Sequence, residues 1–162
     1  MYEEDDGHDM LVKLYNIEND WSFIKEQEDK GIIIRKAIGP EKFKVARWVE
    51  EYFGENWAAE ANCAMSNTPI SCFIAVNKDS KMIGFACTDG TAPGFFGPTG
   101  VSEECRGKGT GKSLLMAALL DMKLKGYGYA IIGGVGPADF YRRAVGAEII
   151  PGSEDSIYKT MI

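Results

Sequence analysis

Residues 97–125 read GPTGVSEECRGKGTGKSLLMAALLDMKLK, an apolar-tipped run, a glycine-rich turn and a helical run in that order. Arg106-Gly107-Lys108-Gly109-Thr110-Gly111 sits between the run Gly97 to Val101 and the run Lys112 to Lys125, so the stretch predicts strand, turn and helix. Three glycines in five residues remove the Cβ atoms that would hold a ligand off the main chain, and they permit the positive φ values of a tight turn. A helix beginning at about Gly109 to Lys112 adds unpaired N–H groups and a partial positive charge of roughly half a unit. Arg106, Lys108 and Lys112 add full charges. Such a corner suits a phosphate or pyrophosphate.

Two known phosphate loops do not fit. Gly111-Lys112-Ser113 resembles the end of G-x-x-x-x-G-K-[ST], but that pattern needs glycine at 106, where Arg106 stands. The dinucleotide pattern G-x-G-x-x-G fails in both registers, at Leu114 when it starts from Gly109 and at Lys112 when it starts from Gly107.

Arg-x-x-Gly-x-Gly does fit, at Arg106, Gly109 and Gly111, with Val101 ending the preceding strand and Leu114-Leu115 following. This resembles the acyl-coenzyme-A loop of the GNAT family of N-acetyltransferases. Phe140-Tyr141-Arg142-Arg143-Ala144-Val145-Gly146-Ala147 is similar to the later family segment, in which a Tyr on a short helix precedes a Gly and a closing strand. The resemblance spans about residues 31–162, most specifically 98–147. It implies an α/β (α+β) fold: a mixed, mostly antiparallel central sheet with one splayed parallel strand pair, and helices on both faces.

Outward from the loop, the pattern of apolar residues agrees. The helix after it carries Leu114, Leu115, Ala118, Leu119 and Met122 on one face and stops at Gly126. Tyr129 to Ile132 reads as a strand parallel to the one ending at Val101, because a helical crossover joins them. A short helix at about Ala138 to Ala144 follows, and Ala147 to Ile150 and Ile157 to Met161 read as a terminal strand pair. Upstream, Met10 to Ile17 alternates as a strand, Asp20 to Asp29 is a short helix capped by Asn19 or Asp20, and Ile32 to Ile34 is a strand. Pro40 opens a helix with Val45, Trp48, Val49, Tyr52 and Phe53 at helical spacing, closed by Gly54. A second helix runs from Trp57 to Met65. Ile70 to Val76 and Lys81 to Cys87 form a hairpin around Asn77-Lys78-Asp79-Ser80.

The net charge of −6 divides unevenly along the chain. Residues 1–30 hold ten acids against three bases, and residues 31–162 hold fourteen against fifteen. The expected organisation is an acidic N-terminal extension, 1–30, with a strand and a short helix packed on the domain, followed by a GNAT-like acetyltransferase domain, 31–162. The acids at Glu3-Glu4-Asp5-Asp6 and around Glu26-Glu28-Asp29 read as a solvated tail and helix face. The body lacks the clustered cations that nucleic acid requires. No apolar run of about 18 residues and no secretory signal pattern occurs, so a cytoplasmic location with no membrane partner is expected. Cys63, Cys72, Cys87 and Cys105 show no CxxC spacing and read as reduced bystanders. His8 is the only histidine, which removes Ser-His, Cys-His and His-based metal chemistry; no metal is expected.

The resemblance implies acetyl transfer from acetyl-coenzyme A, as co-substrate, to an amine acceptor, a small molecule or a peptide or protein, by a monomer or homodimer. The loop Arg106, Gly107, Lys108, Gly109, Thr110 and Gly111, with Lys112, would hold the pyrophosphate. Main chain at Thr99, Gly100 and Val101 would pair with the pantetheine arm as an added strand, and an N–H near Gly100 or Val101 would stabilise the oxyanion. Tyr141 would be the general acid, since a phenol of pKa about 10 keeps its proton at neutral pH. Arg142 and Arg143 are candidates for the coenzyme phosphates, and Trp57 for the acceptor pocket. Phe95 to Val101 contains no acid, so the general base is open among Asp89, Glu103 and Asp139. Gly133-Gly134-Val135-Gly136-Pro137 also stands where the family often has an Asn before its Tyr. These two departures motivate the alternative of a non-catalytic acyl-coenzyme-A-binding or regulatory module.

Overall fold

The computed structural model describes residues 7–162, so the acidic run Glu3-Glu4-Asp5-Asp6 lies outside the described residues. Its strands are Met10–Lys13 (β1), Ile33–Lys36 (β2), Cys72–Val76 (β3), Met82–Thr88 (β4), Phe95–Val101 (β5), Tyr129–Ile132 (β6) and Glu148–Ile149 (β7). The helices are Ser22–Asp29 (α1), Lys42–Phe53 (α2), Glu55–Met65 (α3), Thr110–Leu124 (α4) and Ala138–Val145 (α5). The strands form one sheet in the order β2-β3-β4-β5-β6-β1-β7, antiparallel except for the parallel pair β5–β6. The fold is thus the mixed, mostly antiparallel sheet with one splayed parallel pair, covered on both faces.

Local chemistry accounts for the connections. The Asn77 carboxamide oxygen accepts from the N–H groups of Asp79 and Lys81, each at 3.0 Å, which closes the β3–β4 hairpin. Gly54, at φ 99°, ends α2 and starts α3. Alternation along β3 sends Phe73 and Ala75 to one face and Cys72 and Ile74 to the other. The first face is covered by α4, whose Leu114, Leu115, Ala118, Leu119 and Met122 are fully buried, and by α1 beside it. The second face packs Ile74, Phe85 and Cys87 against Val45 and Val49 of α2 and Ala58, Ala61 and Ala64 of α3.

Two features of β5 make the cleft. Its register against β4 shifts between Ala86–Thr99 and Thr88–Phe96, a bulge at Gly97-Pro98. Pro98 has no N–H to give to a ladder, and a bulge tolerates that. On the other side β5 pairs with β6 only through Phe95–Ile131 and Phe96–Ile132. From Gly97 to Val101 that edge has no strand beside it.

The C-terminal expectation is corrected. Ile157 to Met161 is not a strand: Ser156–Tyr158 is a 3-10 turn, with Ser156 at φ 45°. The Ser156 hydroxyl donates to the buried Asp9 carboxylate at the other end of the chain and the Tyr158 N–H to Asp155 O at 2.9 Å, so a side-chain tie and a turn bond take the place of a ladder. β7 pairs instead with β1, through Met10–Ile149 and Leu11–Glu148. β1 stops at Lys13, earlier than the alternation to Ile17 suggests, because residues 14–16 turn as a 3-10 helix whose Leu14 is buried.

Candidate active site

A cleft of about 740 Å³ opens where β5 and β6 part. One wall is the free edge of β5 and the start of α4; the other is the Gly133–Pro137 turn and α5. The Ser102 N–H donates to Ile83 O at 2.9 Å on the β4 side. By strand alternation, residue 100 also directs its N–H and C=O at β4, and Thr99 and Val101 direct theirs into the gap. The Val101 carbonyl is taken by Arg106 Nε at 3.1 Å, and the Val101 and Thr99 N–H groups face the cleft. Gly100 contributes differently. A Cβ at that position would fall on the ring of Phe53, which lies over the strand stacked on Trp57 with centroids 5.1 Å apart.

The turn at the head of α4 is left-handed at Gly107 (φ 90°) and Gly109 (φ 77°); a Cβ at Gly107 would meet open space, and one at Gly109 would lie 3.7 Å from Gln27 Nε2. The first intrahelical bond runs from Ser113 N–H to Gly109 O at 3.0 Å, so the N–H groups of Thr110, Gly111 and Lys112 have no helical partner. Arg106, Gly107, Gly109, Thr110, Gly111 and Lys112 all line the cleft. Lys108 does not. It faces a neighbouring groove of about 690 Å³ between α1, α4 and α5, which Lys112 and Gly109 also border.

The turn is propped from the far end of the chain. Gln27 of α1, 2 % exposed, donates through Nε2 to Lys108 O at 2.9 Å and accepts from the Thr110 hydroxyl at 2.8 Å, and Lys30 Nζ donates to the same carbonyl at 2.8 Å. Sequence reasoning missed Gln27. The available signal was its helical spacing from Phe23 and Ile24, which puts an amide on the apolar face of α1. The opposite wall is tied down in the same way. Gly134 N–H donates to Asp9 Oδ1 at 2.9 Å, and Val135 pairs with the main chain of Gly7 and His8 at 2.7 and 2.8 Å.

Tyr141 stands on this second wall, buried at 7 % exposure between Phe96 and Phe140, whose ring centroids lie 6.4 and 5.2 Å away in edge-on contact. Burial pushes its phenol up to about 12, so it is protonated at neutral pH. Its hydroxyl has no hydrogen-bond partner among the described residues.

The acids weighed as bases are outside the cleft lining. Asp89 accepts from Gly94 N–H at 2.7 Å and from the Tyr127 hydroxyl at 2.9 Å, holding the 89–94 turn. Glu103 is exposed on a 3-10 turn. Asp139 pairs with Arg142 at 3.0 Å and Arg143 at 3.8 Å, which draws both arginines along α5 and not into the cleft. Trp57 lines the cleft beside Phe53. Among the described residues no group of three or more His, Cys, Asp or Glu is placed to hold a metal, and no helix is long and apolar enough to cross a membrane.

Comparison with known proteins agrees with this geometry. The model of the acetyltransferase (GNAT) family matches residues 40–146, more than half of the chain and all of the loop, α4 and Tyr141. A search of curated proteins finds no significant match. Among solved structures, the GCN5-related glucosamine N-acetyltransferase region of a fungal multi-domain beta-N-acetylglucosaminidase superposes with a TM-score of 0.71 at 14% identity, over 88% of this chain and 19% of that one. A GCN5-related N-acetyltransferase from Sphaerobacter thermophilus superposes with a TM-score of 0.64 at 21% identity, over 88% of this chain and 48% of that one. This chain therefore spans about a fifth and about half of the length of these structural neighbours. At such identities the neighbours establish the fold alone, and the family match, spanning loop, helix and second wall, establishes that the chain belongs to the GNAT acetyltransferase family.

Proposed function

We propose that the protein is an acetyl-coenzyme-A-dependent N-acetyltransferase that moves an acetyl group directly to an amine, with Tyr141 as the proton donor. The observation that carries this reading is convergence on one cleft of an anion-binding helix start, an unpaired strand edge and an isolated buried phenol. The residues fit the coenzyme. Unpaired N–H groups at 110–112, with the Arg106 and Lys112 cations, suit its pyrophosphate. The edge at Thr99 suits the amides of its pantetheine arm, and the Val101 N–H stays available beyond it.

Bound there, acetyl-coenzyme A supplies a thioester whose acetyl carbon accepts the amine nitrogen as the carbon–sulfur bond breaks. The Val101 N–H, facing the cleft, donates to the carbonyl oxygen as it gains charge, a contact worth about 3 kcal/mol in comparable sites. Tyr141 donates to the sulfur. A phenol at about 12 against a thiol near 8.5 gives its proton uphill by about 3.5 pKa units, roughly 5 kcal/mol. Tyr141 therefore works first as a hydrogen-bond donor and releases the proton only as the sulfur departs. The proton lost by nitrogen passes to solvent, which restores Tyr141.

The test is a screen of amine and peptide acceptors with acetyl-coenzyme A, read as free-thiol release. Turnover with any acceptor supports catalysis. Tight coenzyme A binding with no turnover across the screen favours the alternative of a non-catalytic acyl-coenzyme-A-binding module, the reading consistent with a β5 that carries no acid.

A further inference from the structure

The β3–β4 register sets Cys72 directly opposite Cys87. No CxxC spacing marks the two in the chain, and only the hairpin brings them together. Directly opposed residues of an antiparallel pair project to one face, and both side chains are fully buried in the cluster beneath α2 and α3. The main-chain bonds identify the type of pair. The Thr88 N–H donates to Ser71 O at 2.9 Å beside it, and Cys72 O is turned the other way, to the Ala37 N–H at 2.9 Å just past β2, so Cys72 and Cys87 share no main-chain bond. In such a pair the Cα atoms stand about 4.5 Å apart, inside the window of about 4.4–6.8 Å that a disulfide spans. The two thiols are already in hydrogen-bonding contact. The other cysteines have no such arrangement: Cys63 is exposed on α3, and Cys105 packs against the core on the opposite face of the sheet.

We propose that Cys72 and Cys87 are an oxidation site, which closes to a cross-strand disulfide within the intact sheet with a peroxide as the two-electron oxidant. One sulfur gives up its proton and attacks a peroxide oxygen, the O–O bond breaks, and a sulfenic acid and water form. The second sulfur then displaces that hydroxyl, which leaves with the second thiol proton as water. Two thiols and one hydrogen peroxide thus give one disulfide and two waters, the sulfurs being oxidised and the peroxide oxygens reduced. Burial, followed by the contact with Cys72, holds the Cys87 thiol well above its ordinary value, so the reaction is slow. Peroxide reaches the pair through local opening of α3, whose buried side chains over this face include the small Ala58, Ala61 and Ala64. The place matters to the cleft. The β4–β5 ladder passes from Ala86–Thr99 to Thr88–Phe96, so Cys87 is the one β4 residue that faces the Gly97-Pro98 bulge. The disulfide ties β3 to the strand on which that bulge rests.

The experiment uses the full chain with Cys63→Ser and Cys105→Ala, which leaves only the buried pair, and exposes it to hydrogen peroxide at pH 8 in native buffer. Thiols titrated after unfolding in guanidinium should fall from two per chain to none over hours, with the loss of two hydrogens in mass and no intermolecular crosslink on a non-reducing gel. Peptide mapping should find Cys72 joined to Cys87, and the same link should form in the wild type. The urea midpoint should rise, because the bond closes residues 72–87 into a loop and narrows the unfolded ensemble, and dithiothreitol should restore it. Thiols that survive the exposure, a gain of oxygen in place of the loss of hydrogen, or a link that forms only in unfolding urea overturns the proposal. A lowered urea midpoint also overturns it, since the bond would then have distorted the sheet.

Discussion

Gln27 offers the sharpest test of how the coenzyme loop is held. In Gln27→Met the stem keeps its volume, and both hydrogen bonds to the loop disappear. Lys108 O retains Lys30 Nζ, so that loss is about 1 kcal/mol. The Thr110 hydroxyl is worse placed, because Thr110 is 2 % exposed and its only partner is removed. Leaving such a donor unpaired costs about 1–3 kcal/mol. The sum, about 3 kcal/mol, lowers Tm by about 6–12 °C for a chain of this size. If about half of the loss falls on ordering the loop, coenzyme A binding weakens about tenfold. Differential scanning fluorimetry and calorimetry read the two effects. The decisive measurement is the double variant Gln27→Met with Thr110→Val, which removes both ends of the buried contact. It should lie at least about 1 kcal/mol above the sum of the single changes, since deleting both partners leaves nothing unsatisfied. Additivity within about 0.5 kcal/mol, or a Gln27→Met protein with unchanged Tm and affinity, refutes the reasoning.

Gly109→Val should lower coenzyme A affinity by about tenfold or more, because φ 77° costs a side chain about 1–2 kcal/mol and the two methyls beyond the Cβ crowd the Gln27 amide that props the loop; unchanged calorimetric affinity would remove the loop from the binding site. Gly100→Ala should displace Phe53 from the strand and change the fluorescence of Trp57, which stacks on it, while the loop variants leave that signal alone. Tyr141→Phe should keep coenzyme binding and lower kcat by about 10²-fold at constant KM once an acceptor is known; a rise in KM alone would make Tyr141 a binding residue. Tyr141 and Tyr158, both raised to about 12, keep protons that the unfolded chain gives up near pH 10. Their contribution is complete below about pH 10 and is lost as pH rises towards 12. Urea midpoints should therefore fall steeply above pH 10, and less steeply in Tyr141→Phe.

The sequence by itself determined the part of the molecule whose signals are local. Glycines at 107, 109 and 111 ahead of a 3.6-residue apolar stripe specify a turn and a buried helix wherever they occur, and α4 and the loop formed as read. The same holds for the β3–β4 hairpin, set by one Asn side chain, and for α2, closed by Gly54. Periodicity says which face of an element is buried but not against what. It therefore could not say that β1 enters the sheet between β6 and β7, that Gln27 clasps Thr110 across 83 residues, or that Asp9 holds Gly134 across 125. Lys108 and Lys112 look equivalent on paper, yet the left-handed backbone at 107 and 109 turns Lys108 into the neighbouring groove, and only Lys112 reaches the cleft.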